Sequence, residues 1–538
     1  MPWDCGVDRN LYIGRDIKMS EKETAAKEEE KKEKKPSKIG LFLNKYFHFY
    51  DRGSSMKSEI GAGIGAFMVA VCALLMNTQI IGSAYGNYAG SYLAVTIIAF
   101  VGTLLLGLVC NLPLMQSANM ATSTVLISML SVNTGLTYAN LMFITFISAI
   151  IYLIIVVSPI RSYIVDALPE GVRKALPVAV GLFVMYTALE NTGLITDSGL
   201  ASASDSILSL DQFYFWLLIA ATVLFIVLKG FKRKKPFFAT YGILLGCMWI
   251  GGIIFFMDSF IGGETATVVV YKRLNLFYAT DGADPYNIVI GFSSLNFGEL
   301  FTSGLDFSAF TEAGGSVALV FVEGILTFLL LGMYSNVGNV HAVAITAPDA
   351  FVGADGKIVN ESKAYILGAA LNVVSPILGA PPTSVGTQSA MATGDGAKTG
   401  LSSVVTAIGL FIALFTWIFF ALFATGVNGV GMWIDETETK LAAYVQDTFI
   451  FADLIMVFVG ASMLRGIKDC NFADMDELIP FAATIAGTVF AANIAVGVAF
   501  GVVLSAVSKL VTKKFKEFTI PVIVISVVML AYLIVILL

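Results

Sequence analysis

Charge is scarce in this 538-residue sequence. Asp, Glu, Lys and Arg together make 13% of it, against about 25% in an ordinary soluble domain. Histidine is scarcer still. His48 and His341 are the only two, which excludes haem and His-rich metal chemistry. The five cysteines, Cys5, Cys72, Cys110, Cys247 and Cys470, show neither metal-ligand spacing nor a disulfide framework. They read as small buried hydrophobes. No G-x-x-x-x-G-K-[ST] loop is present, so ATP does not drive the protein, and no His-Glu-x-x-His zinc motif occurs. The Thr-Gly-Asp-Gly run at 393–396 only approximates an intramembrane aspartyl protease signature and has the wrong order. No catalytic residue, metal or cofactor is therefore expected, no nucleic-acid partner, and no enzyme activity. No apolar region of signal-peptide type follows the start.

What is abundant is apolar sequence. Hydrophobic residues make 57% of the chain and its mean hydropathy is +0.81. The charges cluster, leaving apolar stretches of roughly 18–25 residues, each long enough to cross a hydrocarbon core of about 30 Å. The expected partner is a lipid bilayer, and the expected class an all-α polytopic membrane protein. Residues 1–39 are polar and rich in Lys and Glu; they read as a disordered cytoplasmic tail. The aromatic cluster Tyr46, Phe47, Phe49 and Tyr50 that follows suits a membrane interface.

Spans are expected near 58–80, 91–110, 113–132, 138–158, 174–192, 212–229 and 237–257. A polar loop, 258–313, is read as extracytoplasmic. Seven more spans follow, near 315–335, 362–379, 383–394, 402–425, 447–465, 479–491 and 493–509. Residues 40–257 and 314–510 thus form two seven-span halves. A basic linker and a further apolar segment at 519–538 complete 511–538. Basic residues after the fourth, sixth, twelfth and fourteenth spans share one side with the tail. The positive-inside rule makes that side, and the N-terminus, cytoplasmic. An odd number of spans per half inverts the second half against the first, as in many secondary transporters.

The halves echo each other. Gln116-Ser117-Ala118-Asn119-Met120-Ala121-Thr122 opens the third span, and Gln388-Ser389-Ala390-Met391-Ala392-Thr393 opens the tenth. Both are crowded with small and polar residues and are poor continuous membrane helices. Each is expected to be a short β-strand followed by a half-helix. The free N–H groups and positive ends of the two half-helices would meet near the midplane and bind a polar solute. Glu323 lies deep in an apolar run, where a carboxylate normally faces a cavity or a partner. Its expected roles are substrate ligand and proton acceptor. Gln388 offers both a donor and an acceptor to a planar heterocycle.

These features resemble the nucleobase–cation symporter (nucleobase/ascorbate transporter) family, and within it the AzgA-like hypoxanthine/guanine permease branch. The similarity is carried by KSEIGAGIGAFMVAVCALLMN (57–77), GTLLLGLVCNLPLM (102–115), GLFVMYTALENTGLIT (181–196) and the run from Gly460 to Val503, and it spans roughly residues 40–510. The site motifs depart from the branch. In its Val-Asp-Leu-Phe-Asp-Thr pattern Glu323 stands for the first acid and Leu326 for the second. Gln388 occupies the position of a glutamate, and Asn119-Met120-Ala121-Thr122-Ser123 stands for Gly-Met-Gly-Leu-Asn.

The resemblance implies a cell-membrane permease of two inverted seven-span repeats, working by alternating access. Its substrate would be a purine such as hypoxanthine, guanine, adenine or xanthine, in symport with a proton or another cation, and a homodimer is compatible with it. Substrate contacts would come from Glu323, Gln388, Ser389, Ser117, Ala118 and Asn119, with Glu323 carrying the proton. Uracil, urate or another small planar or anionic solute is the alternative cargo; a channel or an intramembrane enzyme is more distant.

Overall fold

The computed structural model describes residues 38–191, 195–200, 295–431 and 460–537, less short breaks within these ranges. The tail before residue 38, the expected spans 212–229 and 237–257, and most of 258–313 and 447–465 lie outside the described residues.

The chain is mostly helical. Its first part comprises α1 (Lys38–Phe47), α2 (Met56–Tyr85), α3 (Tyr88–Leu105), β1 (Gln116–Ala118), α4 (Met120–Val132), α5 (Tyr138–Val157) and α6 (Glu170–Asn191), then a small hairpin of β2 (Ile195–Thr196) and β3 (Gly199–Leu200). The second comprises α7 (Val317–Thr346), α8 (Glu361–Ile377), β4 (Thr383–Val385), α9 (Ser389–Gly394), α10 (Gly400–Gly431), α11 (Met475–Phe490), α12 (Ile494–Val511) and α13 (Ile520–Leu537). Among the described residues, the stretches Gly90–Cys110, Tyr138–Val157, Val317–Ala344 and Ile494–Val511 are long and apolar enough to cross a bilayer. The chain is a polytopic membrane protein.

Helix limits follow local chemistry. Thr137 caps α5 in a reciprocal pair with Asn140. Asp474 and Asn493 accept hydrogen bonds from the first turns of α11 and α12. A π-helical turn, Leu106–Cys110, prolongs α3 and ends at Asn111 with φ 49°, a left-handed conformation that asparagine tolerates.

The extended segments after α3 and α8 interrupt helix, and buried backbone groups freed there need protein partners. They satisfy each other. β1 and β4 pair antiparallel with Gln116 opposite Val385, Ser117 opposite Ser384, and Ala118 opposite Thr383. The ladder extends one residue each way. Asn119 N–H donates to Pro382 C=O at 3.3 Å, and Gly386 N–H donates to Met115 C=O at 2.8 Å. The register is therefore symmetric about the Ser117–Ser384 pair.

This register corrects one reading of the sequence. The two Gln-Ser-Ala triplets do not occupy matching places. Gln116 begins a strand, whereas Gln388 stands at the start of α9. The counterpart of Gln116–Ala118 is Thr383–Val385. The segments do match in kind, each a three-residue strand leading into a helix.

The remaining helices fall into two groups. α2, α3, α5, α7, α8 and α10 pack around the strand pair, while α6, α11 and α12 form a separate bundle that meets α7 along one seam. Lys174 on α6 ties that bundle together on its polar end, 2.8 Å from Glu170 and 3.0 Å from Glu477. The terminal apolar segment is a helix, α13, packed on α12 and α7 with Tyr532 fully buried.

Candidate functional site

Each strand is held by helices near it in sequence, and the bonds come in matching pairs. Thr103 Oγ1 on α3 accepts from the first strand amide, Gln116 N–H, at 3.1 Å. Asn372 Oδ1 on α8 does the same for Thr383 N–H. Asn77 Nδ2 on α2 donates to the last carbonyl of β1, Ala118 C=O, at 3.3 Å. Asn339 Nδ2 on α7 donates to the last carbonyl of β4, Val385 C=O, at 2.6 Å. Asn336 adds a bond in the second half only, its Oδ1 accepting from Val385 N–H at 3.0 Å. Among the described residues, every side chain bonded to the strand backbones is uncharged.

The equivalence breaks at one atom. Asn77 Oδ1 accepts from Ser123 Oγ on α4 at 2.7 Å, so the first half is closed upon itself. Asn339 Oδ1 is buried with no donor. Its amide cannot be turned round, because Nδ2 faces a carbonyl. Ser123 lies five residues beyond the end of β1; five beyond β4 lies Ala390, which has no hydroxyl to give. Gln388 Oε1 is likewise buried without a donor. Both oxygens border the same short stretch. Asn339 touches Val385, and a β-carbon added to the next residue, Gly386, would overlap Gln388 Oε1 and stand 2.9 Å from Ser117 Oγ. An unmade hydrogen bond at a buried oxygen costs about 1–3 kcal/mol. Gln388 Oε1 stands against Gly386, and Asn339 is bonded to the residue before it; two donorless oxygens at one turn make a candidate cradle for N–H donors.

Of the residues expected at the site, Ser117, Gln388 and Ser389 meet here, Ser117 in β1 and the other two opening α9. Ala118 pairs with Thr383, and Asn119 lies at the far end of the ladder, opposite Pro382. Ser389 Oγ accepts from Met115 N–H at 3.0 Å, which ties α9 to the other half. Glu323 is not brought to the cradle. It sits in the second turn of α7, 13 residues before Asn336, or about 20 Å along the axis at 1.5 Å per residue. It is half-buried, on the seam with the other bundle. Beside it lie Thr327, and Tyr532 of α13, whose hydroxyl neighbours Thr327 and Asn493.

Sequence reading passed over Asn77, Asn336, Asn339 and Asn372. Each lies in an apolar run, the same anomaly that singled out Glu323, and the cost of a buried polar group applies to amides as it does to acids. Charge drew the attention that four neutral amides deserved.

No protein-family model matches the chain. Curated relatives match along most of it. The guanine/hypoxanthine permease GhxP of Escherichia coli O157:H7 is 23% identical over 92% of this chain and 97% of its own. The guanine/hypoxanthine permease PbuO of Bacillus subtilis is 22% identical over 88% of this chain and 95% of its own. Among solved structures, the transmembrane domain of a cyanobacterium bicarbonate transporter, BicA, covers 83% of this chain and 97% of its own at 14% identity and a TM-score of 0.47. The proteins that this chain resembles are membrane permeases rather than enzymes, and the likeness is consistent with the nucleobase/ascorbate transporter family.

Proposed function

We propose that the chain is a secondary transporter for a purine base, and that the base binds at the crossing of β1 and β4. The observation that carries this reading is the donorless pair Asn339 Oδ1 and Gln388 Oε1. A purine offers ring N–H donors to such oxygens and ring carbonyls or nitrogens to the amide groups beside them. Ser117 and Ser389 border the same space, with Ala118 and Asn119 further along the ladder, and guanine and hypoxanthine, named in the relatives, are the first bases to test. The direct assay is uptake of labelled bases in a host stripped of its own permeases, with unlabelled purines, uracil and urate as competitors. Saturable guanine or hypoxanthine uptake supports the reading; uptake of uracil alone overturns the purine assignment, and uptake of urate alone overturns the choice of guanine and hypoxanthine.

The architecture behind this function is proposed as fourteen spans in two inverted repeats, 40–257 and 314–510, in the cell membrane with a cytoplasmic N-terminus. The symmetric strand register and the paired Asn77/Asn339 and Thr103/Asn372 bonds support the inversion. Alternating access would then be a rocking of the α6, α11, α12 bundle against the helices around the strands.

Glu323 fits this scheme as the proton site rather than a base ligand. It lies on the seam that such rocking would open and close, and no hydrogen-bond partner holds its carboxylate among the described residues. Glu323→Gln should keep equilibrium binding of the base near the parent value and lose accumulation driven by an imposed pH gradient in proteoliposomes. Accumulation equal to the parent's would remove the proton role.

Gln388→Glu should alter selectivity more than folding. It places a charge in a cradle that is otherwise neutral and replaces one N–H donor by an acceptor. Base ranking measured by competition at pH 6 and pH 8 should change, and should become pH-dependent. An unchanged ranking at both values would count against contact between Gln388 and the base.

A further inference from the structure

We propose that α1 lies along the membrane surface as an interfacial helix and binds anionic lipid headgroups. Its sequence, KIGLFLNKYF, is divided by face. Gly40 and Phe47 are buried against the protein, while Ile39, Phe42 and Tyr46, spaced three and four apart, point outward. Phe42 is 76% exposed and Ile39 65%, an arrangement unfavourable in water and suited to the boundary between headgroups and acyl chains. Lys38 and Lys45 share the edge of that face and are exposed. The stretch before them is of mixed charge, with Lys31, Lys32, Lys34 and Lys35 offset by Glu28, Glu29, Glu30 and Glu33, so the cationic edge is that of Lys38 and Lys45. Apolar wedge and cationic edge together match a leaflet carrying negative lipids.

The helix cannot drift from the protein. Tyr46 hydroxyl donates to Leu108 C=O at 2.7 Å, and Asn111 Nδ2 donates to Phe47 C=O at 3.0 Å. Phe47 and Phe49 pack with Leu401 of α10. Arg52 clasps the same corner, its Nη1 donating to Asn111 C=O and Lys398 C=O at 3.1 Å each. The outward face is thus held at a fixed height beside the exposed Leu108 and Val109 at the end of a membrane helix. That places it at the leaflet boundary and favours lipid over a soluble partner.

The test is hydrogen–deuterium exchange of the full chain in nanodiscs holding one copy each. One set contains phosphatidylcholine alone and the other added phosphatidylglycerol. Peptides covering 38–47 should exchange severalfold more slowly with phosphatidylglycerol, and Lys38→Gln/Lys45→Gln should erase that difference while peptides covering β1 stay unchanged. Phe42→Asp should speed exchange in both lipids. Equal exchange in the two lipids overturns the anionic-lipid assignment. Protection of 38–47 that appears only in nanodiscs holding two copies would assign the face to a second chain and overturn it as well.

Discussion

Replacing Asn339 with leucine should weaken guanine or hypoxanthine binding by about fivefold to more than a hundredfold, the equivalent of losing one hydrogen bond of roughly 1–3 kcal/mol in a dry site. The substitution removes the oxygen proposed to receive a ring N–H. It also removes the donor to Val385 C=O, so some loss of stability accompanies it. Asn77→Leu separates the two effects. It takes away the equivalent bond to Ala118 C=O, but the oxygen lost there is already satisfied by Ser123. Both variants should melt earlier than the parent, Asn77→Leu by at least as much because it also loses the Ser123 bond, and only Asn339→Leu should lose affinity out of proportion. Thermal unfolding and equilibrium binding on the same preparations decide it. Equal affinity losses would make Asn339 a strand support and no more.

Gly386→Ala should abolish most base binding while leaving a folded protein. A methyl group there would overlap Gln388 Oε1 and press on Ser117 Oγ at 2.9 Å. The overlapped atom ends a flexible side chain, so Gln388 can swing aside at modest cost, while overpacking against rigid backbone would cost about 1–3 kcal/mol. The swing removes one of the two acceptors, and the methyl occupies the space against Ser117. If displacement of Gln388 is the main cause, Gly386→Ala with Gln388→Ala should bind no worse than Gln388→Ala alone, a departure from additivity that neighbouring residues show. Strictly additive losses would mean that the methyl acts without Gln388. Uptake rates and chromatographic behaviour measured together separate lost binding from lost folding.

Much of the architecture was legible because its physics is local. Long apolar runs read as membrane helices whatever their neighbours, and the small, polar starts of 113–122 and 382–393 announced broken helices by their unsuitability for continuous ones. The strand pairing itself was not local. Gln116 faces Val385, a partner that no window of sequence contains, and the repeated Gln-Ser-Ala letters pointed to a register several residues from the one the ladder adopts. The site showed the same limit. Gln388 was legible as a polar residue where a membrane helix should not start. Asn339 was not distinguishable from Asn77, since both are neutral amides on long, otherwise apolar helices. What separates them is Ser123 on another helix, which satisfies one and has no counterpart for the other. Glu323 drew attention through its charge, but distance along a straight helix, rather than chemistry, keeps it from the cradle.

The most direct test is a cryo-electron microscopy structure of the protein prepared with saturating guanine or hypoxanthine. The account predicts a planar density between β1 and β4, within hydrogen-bond reach of Asn339 Oδ1 and Gln388 and bordered by Ser117 and Gly386. Density instead against Glu323, about 24 Å from Asn339 along α7, with the strand crossing unchanged, would contradict it.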